Sequence, residues 1–128
     1  MKTRPFPSCT RMKDLPIEAL EQVALYFQAL AEPSRLKILN RLRSGEASVG
    51  EIAQQCGSSV ANVSRHLTLL GQRGLVARET RGNSVYYRIA DPSIYDLCDL
   101  VCSNIARQFD RALAERAAFA ATGRQTET

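Results

Sequence analysis

The chain has 128 residues, 45% of them hydrophobic and 23% charged, with a net charge of +4; that suffices for one globular domain with a real core. No apolar run approaches the roughly 18 residues that a membrane span needs, so a membrane partner is not expected. The basic N-terminal stretch "MKTRPFPSCTRMKDLP" has no apolar segment and predicts no signal peptide, which points to a cytoplasmic, reducing setting with free thiols.

Residues 1–15, with scattered charge and prolines, read as a flexible N-terminal arm, and residues 16–120 as the folded domain. Pro16 suits a first helical turn. From Ile17 to Leu30, Leu20, Val23, Ala24, Phe27 and Leu30 recur at three- and four-residue steps, the period of an amphipathic helix. Pro33 opens a second helix, Leu36, Leu39 and Leu42 line one side of it, and Gly45 follows its end. "SVGEIAQQCG" is a short third helix, with Ser48 and Glu51 spaced as a capping box and Gly57 as its stop. A fourth helix restarts at once behind serine caps, with Val60, Val63, Leu67 and Leu70 as its buried stripe. Two short helices around a tight glycine turn make a helix-turn-helix.

The period then changes. "LVARETRGNSVYYRIA" is rich in Val, Thr and Tyr and carries the turn signal "RGNS", so it predicts a β-hairpin. Val76 opposes the alternating set Val85, Tyr87 and Ile89, and Arg78 and Arg81 flank the tip. Asp91-Pro92 ends the hairpin and opens a last helix, about Ser93 to Phe119, striped by Ile94, Leu97, Val101 and Ile105. Residues 121–128 read as a disordered tail. The fold is therefore mainly α with a small hairpin, in the order ααααββα: a winged helix-turn-helix.

The charge falls in one place. Between Gly57 and Ala90 stand five arginines (65, 73, 78, 81 and 88) against one acid, Glu79, which leaves the whole +4 surplus in that segment. By itself this could be a solvated face. Coincident with a recognition helix and wing, it points to a polyanion, operator DNA. The expected DNA-binding residues are Ser58, Ser59, Asn62, Ser64, Arg65 and His66 on the recognition helix, with Arg78 and Arg81 on phosphates from the wing.

"ALAEPSRLKILNRL", "SVGEIAQQCGSSVANVSRHLTLLGQRGLV" and "RGNSVYYRI" resemble the ArsR/SmtB family of metal- and metalloid-responsive repressors, over about residues 20–105. The resemblance implies a homodimer, paired through the first and last helices, that an inducer releases from its operator. It leaves the inducer open, because members place ligands at different sites. The Cys-Val-Cys motif of well-known arsenic sensors reads Ser48-Val49-Gly50 here. The chain's one histidine is His66, so the Asp/His/Glu zinc site on the last helix is missing as well.

The remaining donors are cysteines. Cys98 and Cys102 stand four apart on the last helix, where Cβ atoms lie about 5–6 Å apart. A disulfide wants about 3.5–4.5 Å, so one soft ion between two thiolates fits more easily than direct oxidation. In the family's chemistry trivalent arsenic or antimony takes three sulfurs, which makes Cys9 on the arm the third candidate. A methylated arsenical would need only the pair. A redox or sulfide sensor, a cadmium or lead sensor, and two small buried hydrophobes are the alternatives. No organic cofactor is implied. Cys56 reads as packing. An enzyme built on Cys56 and His66 finds no orienting carboxylate or oxyanion loop in the sequence, so no catalytic residue is assigned.

Overall fold

The computed structural model describes residues 11–126, with side chains through residue 122. A 3-10 turn, Met12–Asp14, precedes α1 (Ile17–Leu30) and α2 (Pro33–Leu42). A two-residue strand β1 (Ala47–Ser48) leads into α3 (Val49–Cys56) and α4 (Val60–Gln72). The hairpin β2 (Val76–Arg81) and β3 (Ser84–Ile89) follows, and α5 (Ser93–Thr126) closes the chain. The expected order of helices and hairpin is met, with β1 added.

Local chemistry sets most boundaries. Pro33 sits in the first turn of α2, and the Glu32 carboxylate accepts the Arg35 backbone N–H as the N-cap. Ser48 caps α3 by accepting from Glu51 N–H at 3.2 Å. At the far end of α3, Gly57 takes a left-handed φ of 65°. Ser58 N–H then returns to Ala53 O at 3.0 Å, a Schellman turn that stops α3 just before α4 begins. β2 and β3 pair with Val76 opposite Ile89 and Arg81 opposite Ser84, across a two-residue loop that starts at Gly82 with φ 60°. β1 adds to the far side of β3 through Ala47–Tyr87 and Ser48–Tyr86, giving the order β1-β3-β2.

The chain divides into two compact units, Met1–Asp91 and Pro92–Thr128, where the sequence suggests one domain over residues 16–120. In the first unit Ile38, Leu42, Ile52, Val63, Leu67, Leu70 and Leu75 are fully buried, and burial of their apolar surface is the main stabilising term. Several residues assigned to apolar stripes, the exposed Ala24 of α1 among them, lie outside this core. Leu36 is 42% exposed, because it sits about 120° round α2 from Leu42, and Ile38 takes the inward place. Val60 is 55% exposed as the first residue of α4, and Phe27 of α1 is half exposed.

The second unit is α5. It runs past the expected end at Phe119 to Thr126, into the stretch read as a disordered tail. No proline interrupts it, and a single interior glycine costs only about 1 kcal/mol against alanine. Val101 and Ile105, placed on its inner stripe by periodicity, are each 46% exposed, and Leu100, Phe109, Leu113 and Phe119 are more so. No helix among the described residues is long and apolar enough to cross a membrane.

Candidate nucleic-acid interface and thiol pair

α3 and α4 form the helix-turn-helix. Ser59 caps α4, its Oγ accepting the Asn62 backbone N–H at 3.1 Å. Val63, Leu67 and Leu70 turn inward. Ala61, Asn62, Arg65 and Thr68 are exposed, a stripe of short polar or small residues and one arginine at helical spacing. That is the profile a major groove accepts. Arg65 donates to Asn62 Oδ1, so these two candidate base readers are paired with each other. Ser59 is exposed at the start of the helix, and Ser58 and Ser64 are half-buried beside it. Arg78 is exposed on β2.

Two further expected DNA contacts are held by residues outside the recognition helix. His66 is half-buried, with Nδ1 3.4 Å from Arg35 Nη1 and Nε2 3.9 Å from Glu32 Oε2. The same Arg35 donates Nε to Ala29 O at 2.7 Å and Nη2 to Gln28 O at 3.1 Å. One guanidinium thus ties the last turn of α1, the first turn of α2 and the recognition helix together, and His66 belongs to that tie. Arg81 is held by two carboxylates. Its Nη1 donates to Glu46 Oε1 at 2.6 Å, and its Nη2 donates to Glu79 Oε2 at 2.8 Å. The hydrogen bond from Arg81 holds the Glu46 carboxyl below its ordinary range. Arg35, Glu32 and Glu46 carried no signal in the sequence, because their partners lie up to 35 residues away.

Cys56 and His66 both line a small open cleft between α2 and the α3–α4 turn, with Ser34, Lys37 and Ser58. Glu32 does supply a carboxylate near His66, contrary to expectation. His66 Nδ1 faces Arg35 and Nε2 faces Glu32, so both ring nitrogens are turned toward these residues.

Cys98 and Cys102 occupy successive turns of α5, the first half-buried and the second exposed, and neither is in a disulfide. No cluster of three or more His, Cys, Asp or Glu side chains able to hold a metal exists among the described residues. The pair can supply two of an ion's ligands and no more. Cys9, the expected third, lies outside the described residues.

Residues 30–79 match the family model of a helix-turn-helix domain. The chain is 40% identical over 82 residues to the HTH-type transcriptional regulator NmtR of Mycobacterium tuberculosis, spanning 64% of this chain and 68% of that protein. Its fold is similar to that of a homodimeric winged helix-turn-helix DNA-binding domain from Mycobacterium bovis, a possible ArsR-family transcriptional regulator. That match has TM-score 0.67 and 31% identity over 82% of this chain and 95% of the other. It is also similar to the AntR antimony-specific transcriptional repressor, with TM-score 0.64 and 30% identity over 86% of this chain and 98% of that one.

Proposed function

The chain belongs to the ArsR/SmtB family of helix-turn-helix transcriptional regulators, and from that premise we propose that it is a homodimeric cytoplasmic repressor whose operator affinity falls when Cys98 and Cys102 bind a thiophilic ion, trivalent arsenic or antimony. α4 enters the major groove. Asn62 and Arg65 reach base edges, while Ser58, Ser59 and Ser64 near the helix start, with Arg78 on the wing, contact the backbone. His66 and Arg81 keep their internal partners. The exposed apolar residues of α5, Leu100, Val101, Ile105, Phe109 and Leu113, are the surface a second copy would cover.

The observation that carries the inducer reading is the thiol pair on consecutive turns of α5. The helix has already ordered both donors, so little conformational entropy is lost when an ion bridges them. Antimony is also what the AntR neighbour responds to by its description. Cys9 is the third donor in this reading, and it must be ordered to join. Release follows if the ion binds more tightly to an arrangement that fits DNA poorly. A coupling of about 1–3 kcal/mol lowers operator affinity about 5–150-fold, and DNA then weakens ion binding by the same factor.

The test begins with duplexes selected from a random pool by the reduced protein. Antimonite, arsenite, methylarsenite, cadmium and polysulfide are then titrated against the labelled complex of the parent and the four single Cys→Ser variants. Cys98→Ser and Cys102→Ser are expected to bind DNA and ignore antimonite and arsenite. Cys9→Ser is expected to lose more of its response to arsenite than to methylarsenite, and Cys56→Ser to respond as the parent does. Release of the Cys98→Ser and Cys102→Ser complexes at parental antimonite concentrations would sink the proposed site.

A further inference from the structure

The wing arginine that the sequence assigns to phosphate is engaged from three sides. Arg81 meets Glu46 in a two-point fork, Nη1 to Oε1 at 2.6 Å and Nη2 to Oε2 at 3.0 Å. Its Nη2 also donates to Glu79 Oε2 at 2.8 Å. The guanidinium carbon stands 4.8 Å from the centroid of the Tyr86 ring. Glu79 and Arg81 are on β2, Tyr86 is on β3, and Glu46 directly precedes β1, so the contact fastens the wing to the loop behind α2. A single exposed ion pair would hold little. A planar fork filled by a matching carboxylate, a second carboxylate and a ring face is a stronger arrangement.

The local charge sum also gives a phosphate little to gain. Glu46 and Glu79 offset the charge of Arg81, and Arg88 also acts on Glu46, so the spot is close to neutral and offers a phosphate little net attraction at Arg81. Arg78 and Arg88 are both exposed on the hairpin.

We propose that Glu46 sequesters Arg81, making Arg81 a positioning residue of the wing and Glu46 a determinant of DNA specificity. By withholding one cation per wing, Glu46 lowers the sequence-independent part of binding, which counterion release governs, and leaves base readout by α4 intact. This rests on the DNA-binding reading above and adds to it which wing cations act.

The experiment measures affinity for a fluorescein-labelled random-sequence duplex across a salt series, using the full chain. The parent is compared with Arg81→Ala, Glu46→Gln and the Glu46→Gln/Arg81→Ala double variant, each checked for parental circular dichroism. Arg81→Ala is expected to keep the parental slope of log affinity against log salt. Glu46→Gln is expected to steepen it by about 0.9 per freed wing and to tighten binding at low salt, and the double variant to return to the parental slope. A slope loss of about 0.9 per wing in Arg81→Ala would show that Arg81 already sits on phosphate and would overturn the proposal. An unchanged slope in Glu46→Gln, or a steep slope that persists in the double variant, would overturn it equally. A parent that binds no duplex at any salt refutes DNA binding itself, a different failure.

Discussion

Arg35→Met tests whether the recognition helix is tied to α1 through one guanidinium. The substitution keeps most of the apolar stem and removes every donor. Three contacts go: Nε to Ala29 O at 2.7 Å, Nη2 to Gln28 O at 3.1 Å, and the 3.4 Å approach to His66 Nδ1. The Ala29 bond is short, partly buried and donated by a charged group, a class worth about 1.5–3 kcal/mol. The Gln28 bond is exposed and the His66 contact long, so they add little. The loss is therefore about 2 kcal/mol, which for a chain of this size lowers Tm by roughly 6–10 °C. Thermal unfolding followed by circular dichroism at fixed protein concentration reads it, since the midpoint of a dimer depends on concentration. Operator affinity is expected to fall further than Tm alone explains, because His66 on α4 loses its neighbour. A variant within about 0.5 kcal/mol of the parent in both stability and DNA binding would refute the tie.

Three further outcomes follow from particular contacts. Leu67→Ala, at a position with no exposure, is expected to destabilise the protein by about 2–5 kcal/mol through the cavity it leaves, read by urea denaturation. Arg65→Ala is expected to cost about 1–3 kcal/mol on a selected operator and much less on random duplex, because its loss removes base readout; equal losses on both would make it a backbone contact. Since the Arg81 hydrogen bond lowers the Glu46 carboxyl below its ordinary value of 4.5, Glu46 contributes stability above that value and loses it as pH falls through the lower folded-state value. The stability gap between parent and Arg81→Ala is thus expected to be steady near neutrality and to close on acidification below about pH 4.5, measured by thermal unfolding across a pH series.

What was legible in the sequence was what sequence-local physics decides. α1 begins and ends where the apolar period and Pro16 put it, and the α3–α4 turn falls on Gly57 between two serine caps. The hairpin register follows from alternation and the Gly82 turn. β1 was not legible, because two residues show no period and Ala47–Ser48 becomes a strand only when β3 arrives beside it. Leu36 was misplaced because three-residue steps drift round a helix. Of the candidate DNA surface, the exposed stripe Asn62, Arg65 and Thr68 follows from helix period. The contacts that hold His66 and Arg81 were not legible, because Arg35 and Glu46 stand 31 and 35 residues away.

That distance dependence changes what the +4 surplus of residues 57–90 means. A formal count treats its five arginines alike. The structure separates them: Arg81 is exposed but clamped by two acids, and Arg73 is half-buried where α4 ends, while Arg65, Arg78 and Arg88 are exposed. Of these, Arg65 lies on the exposed stripe of α4, so Arg78 and Arg88 are the cations expected to meet phosphate in the proposed complex. Each is expected to remove about 0.9 from the salt slope per subunit when changed to alanine, with operator and random duplex affected alike. Arg73→Ala is expected to lower Tm while leaving the slope in place. The series is read on one labelled duplex by anisotropy from low to moderate salt. A slope loss spread evenly over Arg73, Arg78, Arg81 and Arg88 would mean that formal charge, and not the pairing seen in the fold, governs how this protein meets DNA.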